Sequence, residues 1–142
     1  MKPMKTHFVA LILVSLLFIT SKANSTVQCN LTGSYDQMAA CFVEERKQLL
    51  PVVKEIETKI EKKLPLNLRK DFIESQASWY KLAESDCKII EHQFGRNSRA
   101  SSLVVNECHV NRLKQRVKQL LDFLCDPNLE CMEWESYKAF YK

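Results

Sequence analysis

The fold of this chain is decided by residues 79–116, which read WYKLAESDCKIIEHQFGRNSRASSLVVNECHVNRLKQR. On both sides of the turn that begins at Gly95, apolar residues recur with the period of a helix and not with that of a strand. Cys87 lies about ten residues before the centre of the turn, and Cys108 lies about ten residues after it. Because antiparallel helices bring such positions to the same height, we predict a helical hairpin closed by a Cys87–Cys108 disulfide.

The same helical period extends over most of the chain. It predicts three long helices, which run from about Tyr35 to Lys63, from Leu68 to Phe94, and onward from Ser101 or Ser102. Asn67 is the expected N-cap of the second helix, and Gly95 is the expected left-handed residue at its C-terminal end. Pro51 lies inside the first helix and removes one backbone donor, so we expect a kink or a break there.

The connections between these helices are short, and short loops place consecutive helices antiparallel. The chain has only 2 glycines in 142 residues, too few for the turns of a β-sandwich or barrel. No glycine cluster is present that could approach a phosphate. The predicted fold class is therefore all-α: an up-down-up antiparallel bundle of three long helices, stapled by disulfides, with a short C-terminal tail at residues 126–142.

Position along the bundle also pairs the other four of the 6 cysteines. Cys41 lies near the start of the first helix, at the end of the bundle that holds the hairpin turn, whereas Cys125 lies at the opposite end. Because the helical rise separates these ends by more than ~25 Å, we predict the bridges Cys29–Cys41 and Cys125–Cys131. A tail that folded back along the bundle would change these two pairings.

Residues 1–23 have the pattern of a secretory signal peptide. Two lysines precede an apolar run at residues 8–20, and small residues flank position 22, so we expect cleavage after Ala23. The run is shorter than the ~20 residues of a membrane span, and a retained anchor is the alternative. We therefore predict a single secreted or periplasmic domain at residues 24–142, with no stable membrane anchor after cleavage.

The charge of the chain changes when that segment is removed. The full chain has 21 basic and 17 acidic residues, and the loss of Lys2, Lys5 and Lys22 leaves 18 basic against 17 acidic residues. A nearly neutral mature chain gives little support to a nucleic-acid-binding surface, so we expect no nucleic-acid partner.

The sequence lacks the residue patterns that are typical of catalysis. No G-x-S-x-G, H-E-x-x-H or Cys/His nucleophile pattern occurs, and all the cysteines are assigned to bridges. The two mature histidines, His92 and His109, lack the i, i+4 spacing of a metal site on a helix, so we expect them to be solvated or packed in the hairpin. We therefore expect neither an enzyme nor a bound cofactor or metal.

Helix spacing gives two further expectations. The second helix is predicted to face inward through an apolar series at helical spacing, which is Leu68, Phe72, Gln76, Trp79, Ala83, Cys87, Ile90 and Phe94. Gln76, one turn before Trp79, can satisfy the indole N–H of Trp79. The basic run on the third helix alternates along the chain, so we expect a solvated face made of Arg112, Lys114, Arg116 and Lys118. For Arg116 a structural role is the alternative, in which its stem packs and its head finds an acid or a backbone carbonyl.

A set of residues around the hairpin is spaced in a recognisable way, with a Cys eight residues after a Trp and an Arg eight residues after the second Cys: Gln76, Trp79, Asp86, Cys87, Gly95, Cys108 and Arg116. In these residues the chain resembles the LprI-like lysozyme-inhibitor family of small exported bacterial proteins, over roughly residues 36–121. Cys41 on the preceding helix also fits that layout. The resemblance implies a helical exported domain that binds a protein and inhibits lysozyme.

Two stretches are candidate partner-binding sites. The turn carries Arg96 and Arg99, which suit an anionic partner. The tail carries Trp134, Tyr137 and Tyr141 on one helical face, where they either pack over the end of the bundle or anchor a partner.

Three functions are therefore open. The first is a protein-binding domain that inhibits lysozyme, although a mature chain of net charge near zero does not complement a basic enzyme. The alternative is a structural or envelope-interaction protein that binds an anionic polymer or another exported protein through Arg96, Arg99 and the basic residues of the third helix. A small helical carrier of apolar ligands is a further alternative.

Overall fold

The computed structural model describes residue 29 and residues 31–124, which contain three long helices. These are α1 (Tyr35–Lys63), α2 (Leu66–Gln93) and α3 (Arg99–Leu124). The predicted all-α class is confirmed, and no strand occurs in the part of the chain that is described. The predicted signal segment, the Cys125–Cys131 bridge and the tail residues Trp134, Tyr137 and Tyr141 lie outside the described residues.

The start of α1 is fixed by a capping box. The Ser34 hydroxyl accepts a hydrogen bond from the backbone N–H of Gln37 at 3.3 Å, and the Gln37 side-chain oxygen accepts one from the backbone N–H of Ser34 at 3.0 Å. The helix then continues through Pro51 to Lys63, so the break that was one expected outcome at this proline does not occur. Buried Leu49, Val52 and Val53 on either side of Pro51 hold this stretch against the core.

The prediction of Asn67 as a helix cap is wrong, because α2 already begins at Leu66 with Pro65 at the cap position. No side chain caps this end of α2. Instead, Arg69 closes the connection by donating hydrogen bonds from Nε to the carbonyl oxygen of Leu64 at 3.0 Å and from Nη2 to that of Lys62 at 3.4 Å. The same guanidinium therefore satisfies the free carbonyls at the end of α1.

The core lies mainly between α1 and α3, whereas α2 packs chiefly on α3 and touches α1 little. The apolar positions predicted for the first and third helices are buried there, among them Leu49, Val53, Ile56, Ile60, Leu103, Val110, Leu113, Val117 and Leu120. The inward face predicted for α2 is correct only in its middle. Leu68 and Phe94 near the two ends are 45% and 52% exposed, because Leu68 is in line with the exposed Leu82 and Ile89 and Phe94 lies beyond the last residue of the helix.

Two disulfides staple the bundle as predicted. Cys87 on α2 pairs with Cys108 on α3, with Cα atoms 5.7 Å apart, and Cys29 pairs with Cys41 on α1, with Cα atoms 5.6 Å apart. Several contacts between helices have the directions expected of an up-down-up order. Between α2 and α3, Cys108 pairs with Cys87, and the later residue Arg116 contacts the earlier residue Gln76, as in an antiparallel pair. Between α1 and α3, Arg99 contacts Asp36 and the later Lys114 contacts the later Glu45, as in a parallel pair. Within the described ranges, no helix is both long enough and apolar enough to cross a membrane.

Candidate functional site

Three of the residues that carried the family resemblance, Gln76, Trp79 and Arg116, meet inside the bundle between α2 and α3. Arg116 is only 7% exposed. It donates hydrogen bonds from Nη2 to the Gln76 side-chain oxygen at 2.5 Å and from Nη1 to the Gln119 side-chain oxygen at 3.0 Å. Its guanidinium carbon lies 5.0 Å from the centre of the half-buried Trp79 ring, which is the geometry of a cation–π contact. These side chains therefore hold the two helices together.

This arrangement corrects two expectations for the interior. The Gln76 oxygen is taken by Arg116 and its amide nitrogen donates to the Phe72 carbonyl at 3.3 Å, so Gln76 does not serve the Trp79 indole. The head of Arg116 finds amide oxygens and not an acid or a backbone carbonyl. Burial lowers the pKa of Arg116, and the charge of Glu57 opposes that effect. A guanidinium still keeps its proton, so the buried group is a cation.

The solvated basic face predicted on the third helix is also wrong. Arg112 pairs with the motif residue Asp86 at 2.6 Å, one position before Cys87, and Lys114 pairs with the buried carboxylate of Glu45 on α1 at 2.6 Å. With Arg116 buried, Lys118 is the member of this run that is exposed and has no ion pair among the described residues. The run therefore ties α3 to both neighbours and offers little to an anionic partner.

A second polar group lies where α1 faces α2. Lys54 contacts Glu57 at 2.9 Å and lies 4.2 Å from the centre of the Tyr80 ring, which meets Trp79 edge to face at 5.1 Å. Burial raises the pKa of Tyr80, and the nearby Glu57 carboxylate raises it further.

Sequence reasoning missed two buried acids of α1, Glu45 and Glu57. The available signal was their spacing, since both acids fall on the apolar face of α1 at helical intervals from Phe42.

The two histidines do not come together. His92 is exposed, whereas His109 is 9% exposed and its Nε2 lies 3.7 Å from a Glu84 carboxylate oxygen. Burial lowers the pKa of His109, the charge of Arg46 lowers it further, and Glu84 opposes both effects. Among the described residues, no group of three or more His, Cys, Asp or Glu side chains could hold a metal ion.

Two hollows in the bundle bear on the hypothesis that the protein carries an apolar ligand. The first adjoins His109 between the three helices and has a volume of about 50 Å³. This is room for roughly one or two water molecules. The second, of about 360 Å³, is an open groove between α2 and α3 beside Cys108. Neither hollow encloses an apolar ligand, so neither supports the carrier hypothesis.

The α2–α3 turn is held in one conformation by local hydrogen bonds. Gly95 has φ +78°, as predicted for the end of α2, and Asn97 also adopts a left-handed conformation with φ +63°. The Ser98 hydroxyl donates to the Phe94 carbonyl and accepts from the backbone N–H of Ser101, both at 2.9 Å. Ser98 therefore caps α3, which begins earlier than the predicted Ser101 or Ser102.

The predicted partner-binding arginines are brought to one end of the bundle by this turn. Arg96 is exposed, and the side chain of Arg99 is 79% exposed with a distant contact to Asp36 at 3.8 Å. Phe94 adds an aromatic ring that is 52% exposed. We define Phe94, Arg96 and Arg99 as the turn surface. It combines two available cations with an apolar ring on a turn that carries local hydrogen bonds.

Comparison with known proteins identifies the family. The family model described as lysozyme inhibitor LprI matches residues 28–120, nearly two thirds of the chain. The matched stretch contains α1, α2 and most of α3, together with both described disulfides. No curated protein and no solved structure matches the chain. On the strength of that match, the chain belongs to the lysozyme inhibitor LprI family.

Proposed function

We propose that this protein is a non-enzymatic domain that binds and inhibits lysozyme outside the cytoplasm. The observation that carries the proposal is the family match over residues 28–120. The two disulfides support the location, because such bridges persist in oxidising compartments. The secreted or periplasmic state predicted from the sequence is part of this proposal.

The proposed contact is the turn surface. Lysozymes hydrolyse glycosidic bonds with a pair of carboxyl groups, and a guanidinium matches a carboxylate in shape and charge. Arg96 makes no ion pair with another described residue, and the contact of Arg99 with Asp36 is long, so both cations are available. Phe94 supplies apolar area beside them. The attraction is local, since a nearly neutral domain gains nothing from the overall positive charge of a typical lysozyme.

The test is the rate at which lysozyme degrades peptidoglycan in the presence of the oxidised domain. We expect inhibition by the natural sequence, and a loss of about tenfold or more in potency when Arg96→Glu and Arg99→Glu are combined, because two charge-assisted contacts become repulsive. The matched control combines Lys81→Glu with Lys118→Glu. It makes the same charge change at exposed helix positions and should keep full potency.

Two different negative results would distinguish a failure of the proposed inhibition from a failure of the proposed contact surface. Lysozyme that is unaffected by a large excess of the oxidised domain would refute inhibition. Inhibition that survives in the Arg96→Glu, Arg99→Glu variant would leave the function standing and refute the turn surface as the contact.

The second candidate is an interaction protein that binds an anionic polymer or another exported protein, and it is favoured by the same two exposed arginines. The basic run of α3 no longer supports it, because most of that run is engaged within the bundle. Binding of an anionic polymer through Arg96 and Arg99 should weaken as ionic strength rises. Binding that ignores salt, or that survives reversal of both charges, would contradict this candidate.

A further inference from the structure

One side of α2 is not covered by the rest of the fold. Leu82 and Ile89 are 59% and 60% exposed. They are seven residues apart, which places them on the same side of the helix about 10 Å from one another. We call this side the outer face of α2 and define it by six exposed residues, which are Leu68, Ser75, Ser78, Leu82, Ser85 and Ile89.

The serines of the outer face do not oppose its burial. The Ser78 hydroxyl donates to the Glu74 carbonyl and the Ser85 hydroxyl donates to the Lys81 carbonyl, both at 2.9 Å. A hydroxyl that is already bonded to its own helix loses little when water is removed. Serine is also small, so a second helix can approach closely between the exposed Leu82 and Ile89.

The charges along this side of α2 run from acidic to basic. Asp71 and Glu74 lie towards the N-terminal end, Asp86 near the middle is already paired with Arg112, and Arg96 lies three residues beyond Gln93, the last residue of α2. Asp71 and Arg96 take part in no ion pair among the described residues, and Glu74 has only a 3.8 Å contact with Lys70. Such a helix is complementary to an antiparallel copy of itself, because acidic and basic ends then meet at both ends of the contact.

We propose that the outer face of α2 binds the same face of a second copy of this protein, with the two helices antiparallel. A two-fold axis near Ser85 places Leu82 against the partner subunit's Ile89, and Ile89 against the partner subunit's Leu82. A parallel pair would instead set acid against acid and Arg96 against its own equivalent. The contact uses one helix from each subunit, so the dimer is weak and reversible. This inference does not rest on lysozyme binding, although Arg96 belongs to both proposed contacts.

Sedimentation equilibrium of the oxidised protein tests the contact. We expect the average mass to rise from monomer towards dimer as the concentration approaches about 0.5 mM, as for a small reversible interface. Leu82→Glu combined with Ile89→Glu should weaken the dimer about tenfold or more, because four carboxylates would face one another across the axis.

The matched control for these variants is Ile73→Glu. Ile73 is 50% exposed and lies nine residues from Leu82, on the opposite side of the helix. It should leave the dimer unchanged. A protein that stays monomeric at every concentration, or a dimer weakened equally by Ile73→Glu, would overturn the proposal.

A charge exchange tests the antiparallel order. Glu74→Arg and Arg96→Glu should each weaken the dimer several-fold, because this register brings Arg96 beside the partner subunit's Glu74 and each change places like charges together at both ends. The two changes combined should restore the dimer, because the pairs re-form between subunits with their signs exchanged. A dimer that is unaffected by either single change, or that is not restored by the combination, would refute this order.

Discussion

Arg116 on α3 donates a hydrogen bond to the side chain of Gln76 on α2, forty positions earlier in the chain. The same guanidinium lies over the ring of Trp79. These three residues carried the family resemblance, and the structure places them between helices and not on an open surface. They shape the scaffold, whereas the proposed contact with a partner lies at the turn surface at the end of the bundle.

Replacing Arg116 with alanine should lower the free energy of unfolding by about 2–3 kcal/mol, because it removes two side-chain hydrogen bonds and the contact with Trp79. Urea unfolding of the oxidised protein measures this loss. The control is Lys118→Ala, an exposed change two positions later that should cost less than about 0.5 kcal/mol. Equal losses for the two variants would contradict a scaffold role for Arg116.

The pair between Lys114 and Glu45 should behave as a buried ion pair, because Glu45 is 5% exposed. Lys114→Met leaves that carboxylate without its cation and should cost about 3 kcal/mol. Adding Glu45→Met should recover most of the loss. The control is Lys47→Met, which removes an exposed pair with Glu44 and should cost about 0–1 kcal/mol. A Lys114→Met variant as stable as this control would show that the pair contributes nothing.

The stability of the protein should depend on the protonation of His109. Burial and Arg46 hold the pKa of His109 below its ordinary value, so the folded state binds this proton less tightly than the unfolded chain does. Stability from this residue is therefore complete above the unfolded pKa of about 6.5 and is lost as the pH falls below it.

The measurement is the free energy of unfolding between about pH 7 and pH 5, compared among three proteins. His109→Gln should reduce the decrease seen on acidification, whereas His92→Gln at an exposed position should leave it unchanged. The comparison with variants is needed because carboxylates also titrate in this range. A natural protein and a His109→Gln variant with parallel pH profiles would contradict the assignment.

Mass mapping under non-reducing conditions should link Cys87 to Cys108 and Cys29 to Cys41, as in the structure. The prediction from position along the bundle is that Cys125 is then linked to Cys131. The paired change Cys87→Ser and Cys108→Ser should cost about 3 kcal/mol in unfolding free energy, given the length of the loop that this bridge closes. A peptide that joins Cys125 to Cys29 or Cys41 would show that the tail returns along the bundle.

Gly95→Ala should cost about 1 kcal/mol, because alanine is strained at φ +78°. The added methyl group meets nothing within 4 Å, so the cost comes from the backbone alone. Gly95→Asn should cost less, since asparagine tolerates the left-handed conformation. Thermal unfolding separates the two variants. Equal stability of Gly95→Ala and the natural protein would show that the turn relaxes without strain.

The pattern of residues along the chain was enough to predict the three helices and two of the disulfides. Apolar periodicity marks a helix wherever one side is buried, and this one-dimensional signal placed α1 close to its observed bounds. Cys87 and Cys108 are equally far from the turn, so they lie side by side on two antiparallel helices. Their pairing could therefore be predicted without knowing how any side chain packs.

The residue pattern could not predict which face of each helix meets which neighbour. Arg112, Lys114 and Arg116 alternate along α3 as solvated residues do, yet each has a partner on α1 or α2 or within the bundle. The physical reason is that a period gives the angle between side chains on one helix, whereas burial and pairing depend on the rotation and offset of the helices packed against it.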